Sequence, residues 1–373
     1  LSLPLARSGD GSVWGSPATT DASGVATVGS WTLATTAGGN TLAATAGALS
    51  ATFTATGTAG AAVNIAKNPG GDGQTATAGA AVGTAPSVTI TDQYGNPVPG
   101  VSVTFAPSGN GSVSGSPATT DASGVATVGS WTLATTVGGN TLTATAGALS
   151  TSFSATGTVG AAANIAKTAG DAQTATVGTA VATAPSVTIT DQHGNPVAGV
   201  SVAFAPSGNG SVTGSPATTN ASGVATVGSW TLATAAGANT LTASAGALST
   251  SFSATGTVGA AANIAKTAGD GQTATVGTTV ATAPSVTITD QYGNPVPGVS
   301  VTFAPSGNGS VSGSPATTNA SGVATVGSWT LATTVGANTL TATAGALSTT
   351  FNATGTVGAA ANIAKTAGEG QTP

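Results

Sequence analysis

The sequence predicts an all-β protein, a tandem series of β-sandwich domains in an elongated array. The string GSWTLAT recurs with its tryptophan at Trp31, Trp131, Trp230 and Trp329, at spacings of 100, 99 and 99 residues. Each period is filled by short runs of alternating apolar and polar residues, separated by Gly, Pro, Asn and Asp. No helical periodicity interrupts these runs, so helix is expected to be nearly absent.

The repeat period marks whole domains. Residues 161–259 and 260–358 differ at only 11 of 99 aligned positions, and most of the exchanges are among Ala, Ser, Thr and Gly. Domains this similar are expected to share one role. The predicted units are a partial domain lacking its first strands at 1–60, complete domains at 61–160, 161–259 and 260–358, and the first strand of a further repeat at 359–373.

The strands of one period can be followed through residues 61–160. Ser87 to Asp92 reads SVTITD, which puts Val88 and Ile90 on one face of a half-buried strand. The next runs place Phe105 and then Phe153 inward in the same way.

The remaining runs are shorter and are joined by turns. Gly129 stands in the middle of the run from Val125 to Leu133, which predicts a β-bulge there. About seven short strands per hundred residues are typical of an immunoglobulin-like sandwich. The links between domains, such as TGTVGAAA, are short, so successive domains are expected to be closely coupled end to end.

Composition excludes several classes of function. Only five Lys or Arg and ten Asp or Glu occur in 373 residues, and they form no basic face, so no nucleic-acid partner is expected. The chain has no cysteine, which removes disulfides and thiolate chemistry. It also has no run of 18 apolar residues, so no membrane insertion is expected in this segment.

The motif order resembles the bacterial immunoglobulin-like domain of the first group, repeated in intimin and invasin adhesins. The resemblance is carried by the turn DQYGNPV, the strand VSVTFAP, the strand entry DASGVAT and the run NTLTATAGALSTSFSATG, in this order. It implies an extracellular protein of the bacterial cell surface whose repeats hold a distal binding domain away from the membrane. The sequence lacks that family's membrane barrel and its cysteine-containing tip, so a host ligand would be bound only through a domain not present here.

The aromatic residues have two interpretations. Trp31, Trp131, Trp230 and Trp329 recur beside Leu and Val in a strand, which indicates core residues, as it does for Phe105 and Phe153. Exposed indoles would instead form a carbohydrate-stacking platform.

The recurring carboxylates also have two interpretations. Asp92, Asp191 and Asp290 open the D-x-x-G-N-P turn in each repeat, where a carboxylate accepts backbone N–H groups. They are calcium candidates at domain junctions, although calcium prefers several carboxylates together and these come singly.

No catalytic residue, cofactor or other metal is predicted. His193 stands where the sibling repeats have Tyr94 and Tyr292, and no serine lies in a nucleophile elbow. The chain is therefore expected not to be an enzyme.

The two incomplete chain ends have two interpretations. Either the sequence is part of a longer protein, or an adjacent chain supplies the strands that the first domain lacks. Trp14 replaces Ser or Thr of the other repeats, and Ile363 lies in the terminal segment that repeats a first strand, so both are candidates for contact with an adjacent chain. The predicted function is a stalk whose partners are neighbouring repeats of the same or an adjacent chain. A self-assembling filament (a homopolymer in which adjacent chains complete the open first domain) and a carbohydrate-binding module are the alternatives.

Overall fold

A computed structural model of the chain describes residues 1–367 and residue 370. Throughout this described part the regular structure is β-strand and no helix is present, and hence none that could cross a membrane. The chain forms two compact units, one of residues 1–164 with 190–197 and the other of residues 165–189 with 198–373.

The strands recur with the sequence period. In the first repeat they are β1 (Ser2–Leu3), β2 (Leu5–Arg7), β3 (Ser12–Trp14), β4 (Ala18–Thr19), β5 (Ser30–Thr32), β6 (Gly38–Ala46) and β7 (Leu49–Gly57). In the second they are β8 (Asn64–Lys67), β9 (Gln74–Thr77), β10 (Ser87–Thr91), β11 (Ser102–Pro107), β12 (Ser112–Ser114), β13 (Ala118–Thr119), β14 (Val125–Thr127), β15 (Ser130–Thr132), β16 (Gly138–Ala146) and β17 (Leu149–Thr158).

The next two repeats follow the same plan. In the third repeat the strands are β18 (Asn164–Ala169), β19 (Gln173–Thr176), β20 (Ser186–Thr190), β21 (Ser201–Pro206), β22 (Ser211–Thr213), β23 (Ala217–Thr218), β24 (Val224–Thr226), β25 (Ser229–Thr231), β26 (Gly237–Ala245) and β27 (Leu248–Thr257). In the fourth they are β28 (Asn263–Ala268), β29 (Gln272–Thr275), β30 (Ser285–Thr289), β31 (Ser300–Pro305), β32 (Ser310–Ser312), β33 (Ala316–Thr317), β34 (Val323–Thr325), β35 (Ser328–Thr330), β36 (Gly336–Ala344) and β37 (Leu347–Thr356).

Each complete repeat is an immunoglobulin-like sandwich. In the second repeat a three-stranded sheet, in the order β14-β10-β8, faces a five-stranded sheet, in the order β13-β11-β16-β17-β9. The third and fourth repeats have the same two sheets built from their equivalent strands. The long hairpin of β16 and β17 pairs over nine residues, and β9 joins β17 in parallel. The sequence prediction of all-β tandem sandwiches is confirmed.

The core lies between the two sheets. Val88 and Ile90 from β10 face Phe105 and Leu142 of the five-stranded sheet, and all four side chains are buried. Alternation along the strands produces this arrangement, because the intervening Thr and Ser residues point to solvent. Burying each such side chain stabilises the fold by about 1.5–3 kcal/mol.

The expected bulge at Gly129 is wrong. The run breaks into two strands that belong to different pairings, because β14 pairs with β10 whereas β15 pairs with β12. Gly129 lies between these two strands, where the chain passes from the pairing with β10 to the pairing with β12. A Cβ on Gly129 would lie 2.7 Å from the Ser114 hydroxyl. The glycine allows two backbones to approach closely.

The terminal segment does not form the predicted first strand in its described part. Residues 359–367 have no strand assignment, although the same NIAKT run forms β18 and β28 in the two preceding repeats. In those repeats the run pairs with β20 or β30, and no equivalent partner follows residue 358 in this sequence. Residues 368, 369 and 371–373 of the predicted strand lie outside the described residues.

Candidate functional site: the junctions between repeats

The three carboxylates of the D-x-x-G-N-P turns are buried, each in the turn that follows the third strand of a complete repeat. Asp92 is 1% exposed, and Asp191 and Asp290 are 0% exposed. A buried charge is costly unless hydrogen bonds satisfy it. The partners of these carboxylates therefore define the junction.

Asp191 shows how the turn is organised. Its Oδ1 accepts the backbone N–H groups of His193 at 2.8 Å and Asn195 at 2.9 Å. Its Oδ2 accepts the N–H of Gly160 at 3.0 Å and the side-chain amide of Asn195 at 2.9 Å. Because Gly160 belongs to the link from the preceding repeat, one carboxylate fixes both the turn and the link. Asp92 and Asp290 bind their turns and links, through Gly60 and Gly259, in the same way.

These hydrogen bonds favour the ionised form of the carboxyls. The side-chain amide of Asn96, with backbone N–H donors, lowers the pKa of Asp92 to about 2. Burial is the largest influence on Asp191 and would raise its pKa, but the hydrogen bonds led by Asn195 outweigh burial and lower the pKa to about 2. The pKa of Asp290 is lowered by the same balance. The carboxyls are therefore charged at neutral pH.

The calcium interpretation of Asp92, Asp191 and Asp290 finds no support in this geometry. Both oxygens of each carboxylate accept N–H donors, which occupy the positions a cation would need. Within residues 1–367 and residue 370, no group of three or more His, Cys, Asp or Glu side chains comes together. The carboxylates are arranged to hold backbone and amide groups.

Asn195 is the residue that joins one repeat to the next. Its Nδ2 donates to the carbonyl of Thr135 at 2.8 Å, and its Oδ1 accepts the N–H of Val137 at 3.3 Å. Both partners lie in the loop before β16 of the preceding repeat. The same amide also donates to Asp191, which orients the side chain toward that loop.

The asparagine bridge recurs at the other two junctions. Asn96 donates to Thr35 O at 2.8 Å and accepts from Ala37 N at 2.8 Å. Asn294 donates to Thr234 O at 2.7 Å and accepts from Ala236 N at 2.9 Å. Each bridge thus satisfies one carbonyl and one N–H of a loop that has no ladder partner there.

A ring from the same turn lies against a glycine of the preceding repeat. Gly178 has φ +71°, and a Cβ on it would lie 2.4 Å from the Tyr292 hydroxyl. Gly79 has φ +78°, and a Cβ on it would lie 2.5 Å from Nε2 of His193. Each glycine serves a left-handed turn and also leaves room for the ring. His193 is therefore placed as a packing residue, in the position that tyrosine has in its siblings.

The first repeat contains an open apolar groove of about 520 Å³. It is lined by Leu3, Leu5, Trp31, Leu42 and Phe53, among others. The equivalent space in the second repeat is filled by β8 and β10, whose counterparts do not occur in residues 1–60. Phe53 is consequently 55% exposed, whereas the equivalent Phe153 is 1% exposed.

The tryptophans lie in two environments. Trp131, Trp230 and Trp329 are each 1% exposed and lie in the cores with Phe105, Phe153 and their equivalents. Trp31 is half-buried beside the groove of the first repeat. A buried ring cannot stack on a sugar, so Trp131, Trp230 and Trp329 are not available as a stacking platform.

The two candidates for interchain contact are exposed. Trp14 is 75% exposed, with its ring against Gly29 of the same repeat, and Ile363 is fully exposed. The structure brings neither of them to a junction.

Sequence reasoning found the aspartates and missed the groups they organise. Asn96, Asn195 and Asn294 follow each aspartate by four residues, a spacing that by itself indicates only ordinary turn composition. A usable signal was the retention of both Asp and Asn in every turn, since one acceptor is enough to open a turn.

The chain resembles the immunoglobulin-like repeats of bacterial adhesins. It is similar to the Escherichia coli adhesin FdeC, with 21% identity, a TM-score of 0.44, and coverage of 80% of this chain and 100% of the other. It is similar to Yersinia pseudotuberculosis InvD, with 17% identity, a TM-score of 0.40, and coverage of 80% and 98%.

One more solved structure is similar to this chain, and two other comparisons found no match. Invasin, described as a bacterial integrin-binding protein, has 20% identity, a TM-score of 0.39, and coverage of 79% of this chain and 60% of its own. No protein-family model and no curated protein matches the chain. These likenesses concern the fold.

Proposed function

We propose that this chain is the repeat stalk of a bacterial cell-surface adhesin, a non-catalytic extracellular spacer. The observation that carries the proposal is the asparagine bridge, because Asn195 bonds both a carbonyl and an N–H of the preceding repeat. A spacer needs junctions that resist bending, and two bonds from one oriented side chain restrict rotation more than a single bond does.

The short links support the same role. Gly160 lies two residues after β17 and its N–H is held by Asp191 of the next repeat. The link therefore has little freedom of its own. The near-identity of the repeats also favours a mechanical role. The polar groups that recur in every repeat bind the backbone and one another, which is a structural use of these groups. The domain boundaries at residues 60, 160, 259 and 358 are part of this proposal.

Small-angle scattering tests the proposal directly. We expect a maximum dimension of roughly 100 Å or more, because a six-residue strand is ~20 Å long and four repeats with their loops follow one another. A compact particle would contradict the spacer role.

A matched pair of variants tests the junction itself. Replacing Asn96, Asn195 and Asn294 with Ala is expected to reduce the maximum dimension and broaden its distribution. The control replaces Asp121, Asn220 and Asn319 with Ala. These residues accept backbone N–H groups of their own turn, as Asp121 does from Ser123 and Val125, and these bonds stay within one repeat. Equal effects of the two sets on the maximum dimension would show that the asparagine bridge does not stiffen the junction.

A second candidate function is self-association into a filament. The open groove of the first repeat exposes Phe53, and the terminal segment presents Ile363, which is fully exposed and repeats the sequence of a first strand. A neighbouring copy could place that segment against the groove. The near absence of surface charge would favour such contacts.

Electron microscopy at high protein concentration tests the filament. Chains joined end to end are expected for the original sequence and not for Phe53→Ser. Val335→Ser, which changes an exposed valine of the fourth repeat, is the control. Single particles at every concentration would contradict this candidate.

A further inference from the structure

We infer that tension along the chain is resisted in each complete repeat by one pair of strands, its second strand and its last. We name this the end-strand pair; it is β9 with β17, β19 with β27, and β29 with β37. The inference rests on the proposed stalk function for its biological meaning, and its geometry is independent of that function.

The direction of the paired strands carries the inference. β9 and β17 run parallel, with Gln74 opposite Ala155 and Thr77 opposite Thr158. The chain enters the repeat through β8, which pairs with β10 in the other sheet, continues into β9 and leaves after β17. A pull on the two ends reaches β9 through β8, and it slides β9 and β17 past each other along their common axis. The cross-strand bonds are then strained together, whereas a hairpin pulled open at one end loses its bonds one at a time.

Further bonds extend the pair at both ends. Gly73 donates to the carbonyl of Ser154 at 2.9 Å, and Ala78 donates to the carbonyl of Thr158 at 2.8 Å. The Thr158 hydroxyl also donates to the carbonyl of Ala76 at 3.3 Å. The fourth repeat has the equivalent bonds from Gly271, Val276 and Thr356. The ladder is therefore longer than its four paired residues.

A carboxylate ties the start of the pair to the last strand. Oδ1 of Asp72 accepts both the N–H of Ser154, at 2.6 Å, and its hydroxyl, at 2.9 Å. The other oxygen accepts from Lys67, which completes an ion pair. The equivalent Asp171 accepts from Ser253, and Asp270 from Asn352.

The ion pair keeps this carboxylate charged. The Lys67 ammonium, together with the donors of Ser154, holds the pKa of Asp72 well below its usual range. Lys167, with Ser253, lowers the pKa of Asp171 to about 2. A charged acceptor makes the stronger hydrogen bond to the last strand.

The first repeat provides an internal reference. Its sheet order is β2-β6-β7, and β7 has no strand on its outer side because residues 1–60 contain no counterpart of β9. The hairpin of β6 and β7 is otherwise the same as in the complete repeats. This repeat is therefore expected to open at lower force than the other three.

Single-molecule pulling of the whole chain tests the inference. The chain has no cysteine, so one added at each end gives defined attachment points. Three high-force events are expected, each releasing about 350 Å for a 99-residue repeat at ~3.5 Å per residue. The first repeat is expected to release about 210 Å, by the same reckoning, at lower force. Equal forces for long and short events would overturn the inference.

A variant pair locates the resistance. Asp72→Ala is expected to lower the force of one long event and leave the other two as references. Asp121→Ala is the control. Asp121 also accepts two backbone N–H groups, from Ser123 and Val125, but lies in a turn outside the end-strand pair. Urea unfolding of both variants separates a mechanical effect from a general loss of stability. A fall in force no larger than that of the control would overturn the inference. A compact particle in scattering would contradict the spacer role and leave the pulling result standing.

Discussion

Asn195 reaches back 60 residues to donate a hydrogen bond to the carbonyl of Thr135. This bond joins two repeats through a side chain that is itself held by Asp191. The junction is therefore organised in two steps, with the aspartate orienting the asparagine and the asparagine binding the preceding loop.

Removing that asparagine should weaken the junction. Asn195→Ala leaves the Thr135 carbonyl and the Val137 N–H without their partner, and we expect a loss of about 1–2 kcal/mol. Urea unfolding measures the change. Asn209→Ala, which removes an exposed asparagine bonded within its own repeat, should cost less. An equal cost for the two variants would show that the bridge adds nothing.

The free energy of unfolding should fall with pH over a defined acidic range. The folded pKa of Asp191 is about 2, below the value of about 3.9 for an unfolded aspartate. As the pH falls, the unfolded chain binds the proton first. The stabilisation is therefore present above pH ~4 and is lost as the pH falls toward ~2.

Chemical unfolding across pH 2–7 checks this prediction. Asp191→Asn should lose about 1–3 kcal/mol at pH 7, because an amide cannot accept all four N–H donors. The same variant should show a shallower decline in stability below pH ~4. An unchanged pH dependence would contradict the assignment of this carboxyl.

Two glycines form a matched test of ring packing. Gly178 and Gly277 have nearly equal φ values, +71° and +70°, so alanine at either position carries the same backbone strain, of about 1–2 kcal/mol. Only at Gly178 would the new methyl meet the Tyr292 ring; at Gly277 it would meet a Thr333 methyl at 3.7 Å. We expect Gly178→Ala to be the more destabilising in thermal unfolding. Equal losses would indicate that the ring moves aside freely.

Two phenylalanines test the open groove. Phe153→Ala should cost about 3–5 kcal/mol, because the ring is fully buried. Phe53→Ala should cost about 1 kcal/mol or less, because over half of the ring is already exposed. Urea unfolding of the two variants provides the comparison. A large loss for Phe53→Ala would mean that the groove is covered in solution.

The local parts of this structure could be predicted from the sequence, and the distant contacts could not. Alternation in SVTIT identified Val88 and Ile90 as inward residues, because side-chain direction in a strand follows from position alone. The strand Gln74–Thr77 cannot be predicted in this way, because QTAT contains no large apolar residue. That strand exists because β17 offers it an edge, which is a tertiary effect.

The junction was partly predictable for the same reason. An aspartate that opens a turn binds neighbours within four residues, so Asp191 could be interpreted locally. The partners of Asn195 depend on which loop of the preceding repeat lies beside it, and no local pattern encodes that choice. The pairing of Gly178 with Tyr292 likewise joins residues of different repeats.

Each complete repeat carries both halves of a junction, since the turn after its third strand supplies Asp and Asn, and a later loop supplies the kind of carbonyl and N–H that such an Asn binds. A contact of this head-to-tail kind can be repeated from one unit to the next along the chain. Duplication or loss of one whole repeat in the gene would therefore preserve every junction. The length of such an array can change by recombination between its copies without any new interface having to evolve.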